Sequence, residues 1–478
     1  MELQFQKESL PYMRQLLEDI RDQELTQEIR LAEGQPDIGN VVSAWGQVLI
    51  RGKQWEDDRI GVSGGVQAWI LYSDAETGAL QTVSCWMPFH QDWDLPVTTR
   101  EGKLWIMPEL RHVDARGVSE RKIMVRANIS LLAKALSPSE AATYSPMQVP
   151  EDVNLKIQTE PMLIPTEMGE KSFVMDEEIS VPQEHPPVQQ IIHASLKPHI
   201  SESKVMAGKL VFRGSADLCV LYENNGMLHR FSVDIPFAQY GELENEFDPD
   251  AEVWICPMMT SFELESGENH ILRLKAGITG QYMVYDCRRQ PLVVDAYSTT
   301  RRAEMQNVTL ELPVVSDYKH WEMDVDWSWN QEGEPIEVTC YSDHPREERD
   351  GSQLSGRFQV LWKDAEGVVH SSSQKWEQFI PENGVYICGV TDVSVHGARM
   401  CLCRTKEDAE SMEIVSGLRL AEAAQKDPNR PSLILRKMGK EGLWDLAKRT
   451  GSTVAAIMQA NGLETEPQAG DMIMIPIP

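Results

Sequence analysis

Cationic side chains are in short supply: 45 lysines and arginines stand against 74 aspartates and glutamates, a formal charge of -29 over 478 residues. A field of that sign repels phosphate backbones and anionic lipid surfaces, which argues against nucleic acid as a partner. Long apolar runs are also missing. No stretch approaches the roughly 18 apolar residues of a bilayer-spanning helix, so no integral membrane segment is expected. The opening residues, MELQFQKESLPYMRQLLEDIRDQEL, are charged throughout and lack the apolar core of a secretory signal. The expectation is a cytoplasmic chain. Cysteine is sparse: Cys85, Cys219, Cys256, Cys287, Cys340, Cys388, Cys401 and Cys403 are scattered without the density of a secreted disulfide scaffold. Cys401 and Cys403 have no second Cys or His pair at ligand spacing, so neither metal nor cofactor is expected.

Catalytic signatures are absent as well. No glycine-rich phosphate loop ending in Lys-Ser/Thr, no HExxH helix and no GxSxG elbow occurs. Ser201-x-x-Lys204 stands alone in a polar connection, and GVSGG at Gly61 to Gly65 leads into a strand pattern where an elbow needs a helix. The histidines occur singly among β segments, so no acid-base pair can be named. A non-enzymatic protein is expected. An enzyme would need carboxylates from separate strands converging in a cleft.

What is present is repetition. GVQAWILYSDAETGAL from Gly65 lines up with GSADLCVLYENNGML from Gly214 and, more loosely, with GRFQVLWKDAEGVVH from Gly356. Each is an apolar run, then a turn rich in acidic or amide residues with glycine, the pattern of a β-hairpin. LWIMPEL from Leu104 matches VWICPMM from Val253 and is echoed by VYICGVT from Val385. The interval from Gly65 to Gly214 equals that from Trp105 to Trp254, so the first two copies hold one register, and the third is shorter. Ile123, Val125, Ala127, Ile129 and Leu272, Leu274, Ala276, Ile278 alternate with period two, as half-buried strands do. Pro88 and Pro236, each before a phenylalanine, mark strand edges or exits, since proline cannot donate to a ladder. With roughly 110 to 150 residues, each copy is large enough to close its own core, like a bead on a string. In residues 1–30, Met13, Leu16, Leu17 and Ile20 recur at helical spacing, which predicts an amphipathic helix.

Beyond the linker KDPNRP the composition changes to a compact segment read as strand, helix, helix, strand. Leu433 to Leu435 and Met472 to Ile475 are the strands; Leu443, Leu446 and Ala447 share one helix face, Val454, Ile457 and Met458 the next. Gly451 and Asn461-Gly462 are the helix stops, and Ser452 and Thr453 offer a cap. Four methionines crowd this segment. Met458, Met472 and Met474 are expected in its core and Met438 at its surface.

The repeated unit resembles the SPOCS domain of sporulation proteins, through Pro36-Asp37, Gly65 to Tyr72, Gly214 to Tyr222 and Ile235-Pro236-Phe237. The terminal segment resembles a LysM module, through Leu443-Trp444, Leu446-Ala447, Thr453, Ile457, Ala460 to Leu463, Gly470 and Ile475-Pro476. The expected fold is therefore mainly β: two to three β-sandwich or open-barrel SPOCS-type repeats followed by a small βααβ LysM domain. The expected divisions are 1–148 (N-terminal helix and first repeat), 149–300 (second repeat), 301–425 (diverged third repeat), 426–431 (linker) and 432–478 (LysM).

The combination resembles the SipL-like spore-coat morphogenesis family. That resemblance implies an adaptor at the forespore surface in the mother-cell cytoplasm, binding the spore-coat scaffold ATPase (SpoIVA-like) through its LysM region, with other coat proteins as partners. The alternative it carries is a peptidoglycan or N-acetylglucosamine binder of the cortex or wall. In either case the contact residues would be the loops at Gly439, Lys440, Glu441, Gly442 and Leu443 and at Asn461, Gly462 and Leu463. The first loop departs from the family's usual Gly-Asp-Ser/Thr-Leu, with Lys440-Glu441-Gly442 and no hydroxyl before Leu443. A lost sugar hydrogen bond weakens a glycan site by about 1 kcal/mol.

Overall fold

The computed structural model describes residues 1–145, 148–159, 161–206, 208–267, 270–422 and 431–477. A short β1 (Glu2–Gln4) precedes a first unit of six strands: β2 (Gln6–Arg30), β3 (Ile38–Trp55), β4 (Arg59–Asp74), β5 (Leu80–Asp94), β6 (Lys103–Ser119) and β7 (Lys122–Ser145). After β8 (Val153–Gln158), a second unit holds β9 (Met162–Ser180), β10 (Gln190–Met206), β11 (Lys209–Asn224), β12 (Met227–Glu242), β13 (Glu252–Ser266) and β14 (Ile271–Arg288). After β15 (Leu292–Ser298), the third has β16 (Ala303–Asp326), β17 (Glu334–Ser342), the small β18 (Arg346–Glu348), β19 (Gly351–Lys363), β20 (Val369–Ile380), β21 (Val385–Ser394) and β22 (Gly397–Leu420). The chain ends in β23 (Leu433–Lys437), α1 (Leu443–Thr450), α2 (Val454–Asn461) and β24 (Met472–Pro476). The expected linker, residues 426–431, lies outside the described residues except for Pro431.

One wiring recurs three times. A long strand leads into an antiparallel meander (β3-β4-β5, β10-β11-β12, and β17-β19-β20 with β18 added), and the chain returns to pair with the long strand as β2-β7-β6, β9-β14-β13 and β16-β22-β21. The two sheets of each unit face each other: in the first, Val66, Ala68 and Ile70 of β4 share a core with Val125, Ala127 and Ile129 of β7. Among the described residues no sheet closes into a barrel; each unit is a two-layer sandwich. Pro88 and Pro236 sit on the edge strands β5 and β12. Gly64 and Gly214 are required where β4 and β11 pass close to their neighbours, since a Cβ there would meet the Leu49 and His199 carbonyl oxygens at 2.3 and 2.0 Å.

Residues 6–30 are a strand, which corrects the expected helix: β2 pairs along its whole length with β7, from Gln6 opposite Ser145 to Arg30 opposite Lys122. A β-bulge between Gln15 and Leu17 inserts one residue and reverses the alternation. Met13 therefore lies on the sheet face that meets Trp105, while Leu16, Leu17 and Leu25 turn to the first unit's own core, and the broken period of two imitates helical spacing.

The units do not behave as separate beads. β3 of the first packs on β13 of the second, β10 of the second on β21 of the third, and β17 of the third on β6 of the first. These head-to-tail contacts close the three units into a ring, the closed form of a heterologous interface. Trp105, Trp254 and Tyr386, which occupy matching places in the three units, meet in one shared core. Their ring centroids lie 4.6 Å (Trp105 to Trp254) and 5.0 Å (Trp254 to Tyr386) apart. Lys134 enters this core, donates to the Tyr386 hydroxyl at 2.7 Å and lies 4.2 Å from that ring's centroid.

Glutamine amides join the units where strand pairing stops. Gln281 of the second unit is fully buried and bonds both backbone groups of Ile106 in the first, accepting from its N–H at 2.9 Å and donating to its carbonyl at 2.7 Å. Gln47 donates to the Leu196 carbonyl at 2.7 Å, and Gln359 to the Ala44 carbonyl at 2.9 Å. An amide side chain presents both a donor and an acceptor, the pair of group types a strand backbone presents. β1 pairs with β22, so the first residues are tied to the third unit.

Candidate functional site

Residues 432–477 form the C-terminal unit. β23 and β24 pair antiparallel, from Leu433 opposite Pro476 to Lys437 opposite Met472. Leu443, Leu446, Ala447 and Ile457 from the helices pack on Ile473 and Ile475. α1 ends at Gly451 and α2 at Gly462, both left-handed at φ 70° and 61°, where glycine avoids the Cβ penalty. Thr453 caps α2, its hydroxyl accepting from the Ala456 N–H at 3.0 Å.

This unit is fastened to the two-stranded sheet β8–β15. Asp295 accepts from the Trp444 indole at 2.7 Å and the Lys448 ammonium at 2.6 Å, and the Tyr297 hydroxyl donates to the Ser452 carbonyl at 2.9 Å. Burial would raise the Asp295 carboxyl, but the bonds from Lys448 and Trp444 hold it below the usual range. The Trp444 ring stands edge-on to Tyr297, 5.0 Å between centroids, so the module's one tryptophan serves docking to the body.

The loop residues read from sequence have divided roles. Gly439, Lys440, Gly442 and Gly462 are exposed, and Leu463 is half-buried. Leu443 is fully buried in the module core. Glu441 is held by Arg449 at 2.7 Å and Arg436 at 3.4 Å. Asn461 donates to the carbonyls of Ile457 and Met474 and accepts from the Met474 N–H, each at 2.7 Å. It therefore locks α2 to the outer edge of β24.

Met458 packs against the module core as expected, but the other three methionines are disposed opposite to expectation. Met438 is buried in the core, while Met472 and Met474 are 58% and 38% exposed. Leu433 and Leu435 of β23 are 52% and 64% exposed on the same outer face. The inner face of this two-stranded sheet is filled by Ile434, Ile473 and Ile475, and nothing in the described residues covers the outer one. Apolar residues on both faces of a strand give no amphipathic alternation, so the sequence offered no sign of which face was free.

A second feature lies on the ring axis: a cavity of about 210 Å³ lined by strands of all three units, β3 and β6, β10 and β13, β17 and β21. Its polar groups include Glu109, Lys197 and His199. Glu109 is enclosed by protein, its remaining accessible surface facing the cavity, and burial raises its carboxyl to about 8 against the pull of the Ser342 hydroxyl, 3.0 Å away, and of Lys197. Nearby, Asp217 and Asp234 face each other across β11 and β12, and burial raises Asp217. Burial also raises the Cys256 and Cys403 thiols well above their ordinary value, which leaves them protonated and unreactive. Among the described residues no cluster of three or more His, Cys, Asp or Glu side chains could hold a metal ion, and no helix is long and apolar enough to cross a membrane.

Residues 187–263, the meander of the second unit together with most of β13, match the family model described as SipL, SPOCS domain. That stretch is similar to the SPOCS domain of SipL, a domain of sporulation and spore-coat proteins. No curated protein and no solved structure matches the chain.

Proposed function

We propose that this SipL-like chain is a non-enzymatic adaptor of spore-coat assembly, working in the mother-cell cytoplasm at the forespore surface. Its C-terminal module binds the spore-coat scaffold ATPase, and its three-unit body offers surface to further coat proteins. The observation that carries this reading is the C-terminal module itself. It is fixed to the body through Asp295 and Tyr297 and turns an uncovered apolar sheet face outward. Such a patch marks an interaction surface. Several partners held by one molecule raise each other's effective concentration without any chemistry.

The opposing reading, binding of peptidoglycan or N-acetylglucosamine polymers, has less support. Of the candidate loop residues, Leu443 and Asn461 are occupied inside the module, Glu441 is ion-paired, and Gly442 stands where a hydroxyl would serve sugar. A titration of the full chain, and of a chain ending at residue 422, against the purified scaffold ATPase, peptidoglycan fragments and chitin oligomers separates the two. ATPase binding that is lost on truncation is the expected result. Binding of glycan alone would overturn the adaptor.

A further inference from the structure

We infer that the outer edge of β23 is a strand-addition site, taking an extended segment of a partner protein that pairs with the backbone of Leu433, Leu435 and Lys437 and folds alternate apolar side chains over Leu433, Leu435, Met472 and Met474. The inference rests on the adaptor reading for the identity of that partner, and on geometry for the site.

The register of the β23–β24 pair decides which backbone groups are free. Ile477 donates to the Ser432 carbonyl at 2.9 Å and Met438 to the Asp471 carbonyl at 2.8 Å. In an antiparallel ladder the bonded pairs alternate, so Ser432, Ile434, Arg436 and Met438 turn their backbone groups toward β24, and Leu433, Leu435 and Lys437 turn theirs away. Among the described residues β23 has no neighbour but β24, so this is an open edge. The opposite edge is closed at its centre, because Asn461 bonds both the N–H and the carbonyl of Met474. Only one side of the sheet can therefore be extended.

The side chains agree with the backbone. Leu435 lies directly opposite Met474, and Lys437 opposite Met472. The residues whose backbone faces out on the edge thus also carry the exposed apolar stripe. Backbone pairing would supply affinity and the stripe specificity, the usual division in strand addition.

Charge indicates the occupant. Residues 432–478 carry five basic side chains (Arg436, Lys437, Lys440, Lys448, Arg449) and five acidic ones (Glu441, Asp445, Glu464, Glu466, Asp471), so the whole charge of -29 resides in residues 1–431. Lys437 and Lys440, at the end of the stripe, have no ion pair among the described residues. A second copy of this chain would bring the same negative field to the contact. A segment with alternating apolar residues and an acidic residue meeting Lys437 fits the edge best.

The test uses the full chain. Leu435→Pro removes an N–H that points away from β24, so it blocks added pairing without breaking the β23–β24 ladder. The double variant Leu435→Thr with Met474→Thr removes the stripe and leaves the edge; Val174→Thr, at an exposed position on β9, is the control. Melting curves matching wild type establish that each variant folds. Two ligands are titrated: the scaffold ATPase, and a labelled extended hexapeptide with alternating valines and a terminal glutamate.

The expected result is a tenfold or greater loss of ATPase and peptide binding in both β23 variants and none in Val174→Thr. ATPase binding unaffected in both variants would overturn this inference and leave the adaptor standing. If the ATPase fails to bind wild type, the adaptor reading falls and the peptide decides: binding abolished by Leu435→Pro upholds the edge, and no binding to wild type overturns it.

Discussion

Replacing Glu109 by glutamine should change the pH dependence of stability in one direction. Its carboxyl titrates near 8 in the folded chain and near 4.5 when solvated, with burial as the main cause. Between those values the native protein keeps a proton that the unfolded chain has released, so stability falls as pH rises through that window and levels off above about 8. Below pH 4.5 both states are protonated and no penalty exists. Each pH unit is worth about 1.4 kcal/mol, so the full displacement would approach 5 kcal/mol, and relaxation around the cavity reduces the expected loss to about 3 to 5 kcal/mol. Glutamine nearly preserves the shape, can still bond the Ser342 hydroxyl and does not ionise. Urea midpoints of wild type and Glu109→Gln should therefore lie close together at pH 5 and separate steadily up to pH 8, the variant being the more stable. Comparing the two proteins at each pH cancels other titrating groups, including His344, whose imidazole is lowered by burial to about 4 and which destabilises the fold in acid. A separation that stayed constant with pH, or wild type gaining on the variant as pH rises, would refute the reasoning.

Three further outcomes follow from the ring. Trp254→Ala removes the central ring of the shared core and should cost about 3 to 5 kcal/mol; calorimetry should show the three units still melting together at a lower temperature, whereas three separate transitions would mean independent beads. Gln281→Leu leaves both backbone groups of Ile106 without partners between the first and second units, a cost of about 2 to 4 kcal/mol readable from urea midpoints. Asp295→Ala removes the acceptor for Trp444 and Lys448, so amide exchange in α1 should accelerate while β4 and β7 stay protected.

The features legible in sequence are those set by neighbours along the chain. Alternation at Ile123 to Ile129 and Leu272 to Ile278 names strands because one face of each is buried, and all eight residues lie in the cores. The glycines after Leu443 to Thr450 and Val454 to Asn461 end those helices because a left-handed residue is needed there. What was misread depended on partners distant in sequence. A bulge opposite Leu136 and Ala135 disguised β2 as a helix, since periodicity sees spacing and not pairing. Met438, Met472 and Met474 are chemically alike, and only the packing of α1 and α2 on one face of the β23–β24 sheet decides which are covered. The Asp295 and Tyr297 clasp joins residues that no local pattern connects.

By itself, then, the sequence determined a mainly β chain with a compact strand-helix-helix-strand end and an acidic surface, because period, turn chemistry and composition act within a few residues. Only the tertiary structure decided that Trp105, Trp254 and Tyr386 meet in one core, that Glu109 lines a cavity shared by three units, and that β23 keeps an open apolar edge. Each of these depends on how sheets far apart in the chain come to face one another, and burial is settled by that meeting, not by the residue's own neighbours.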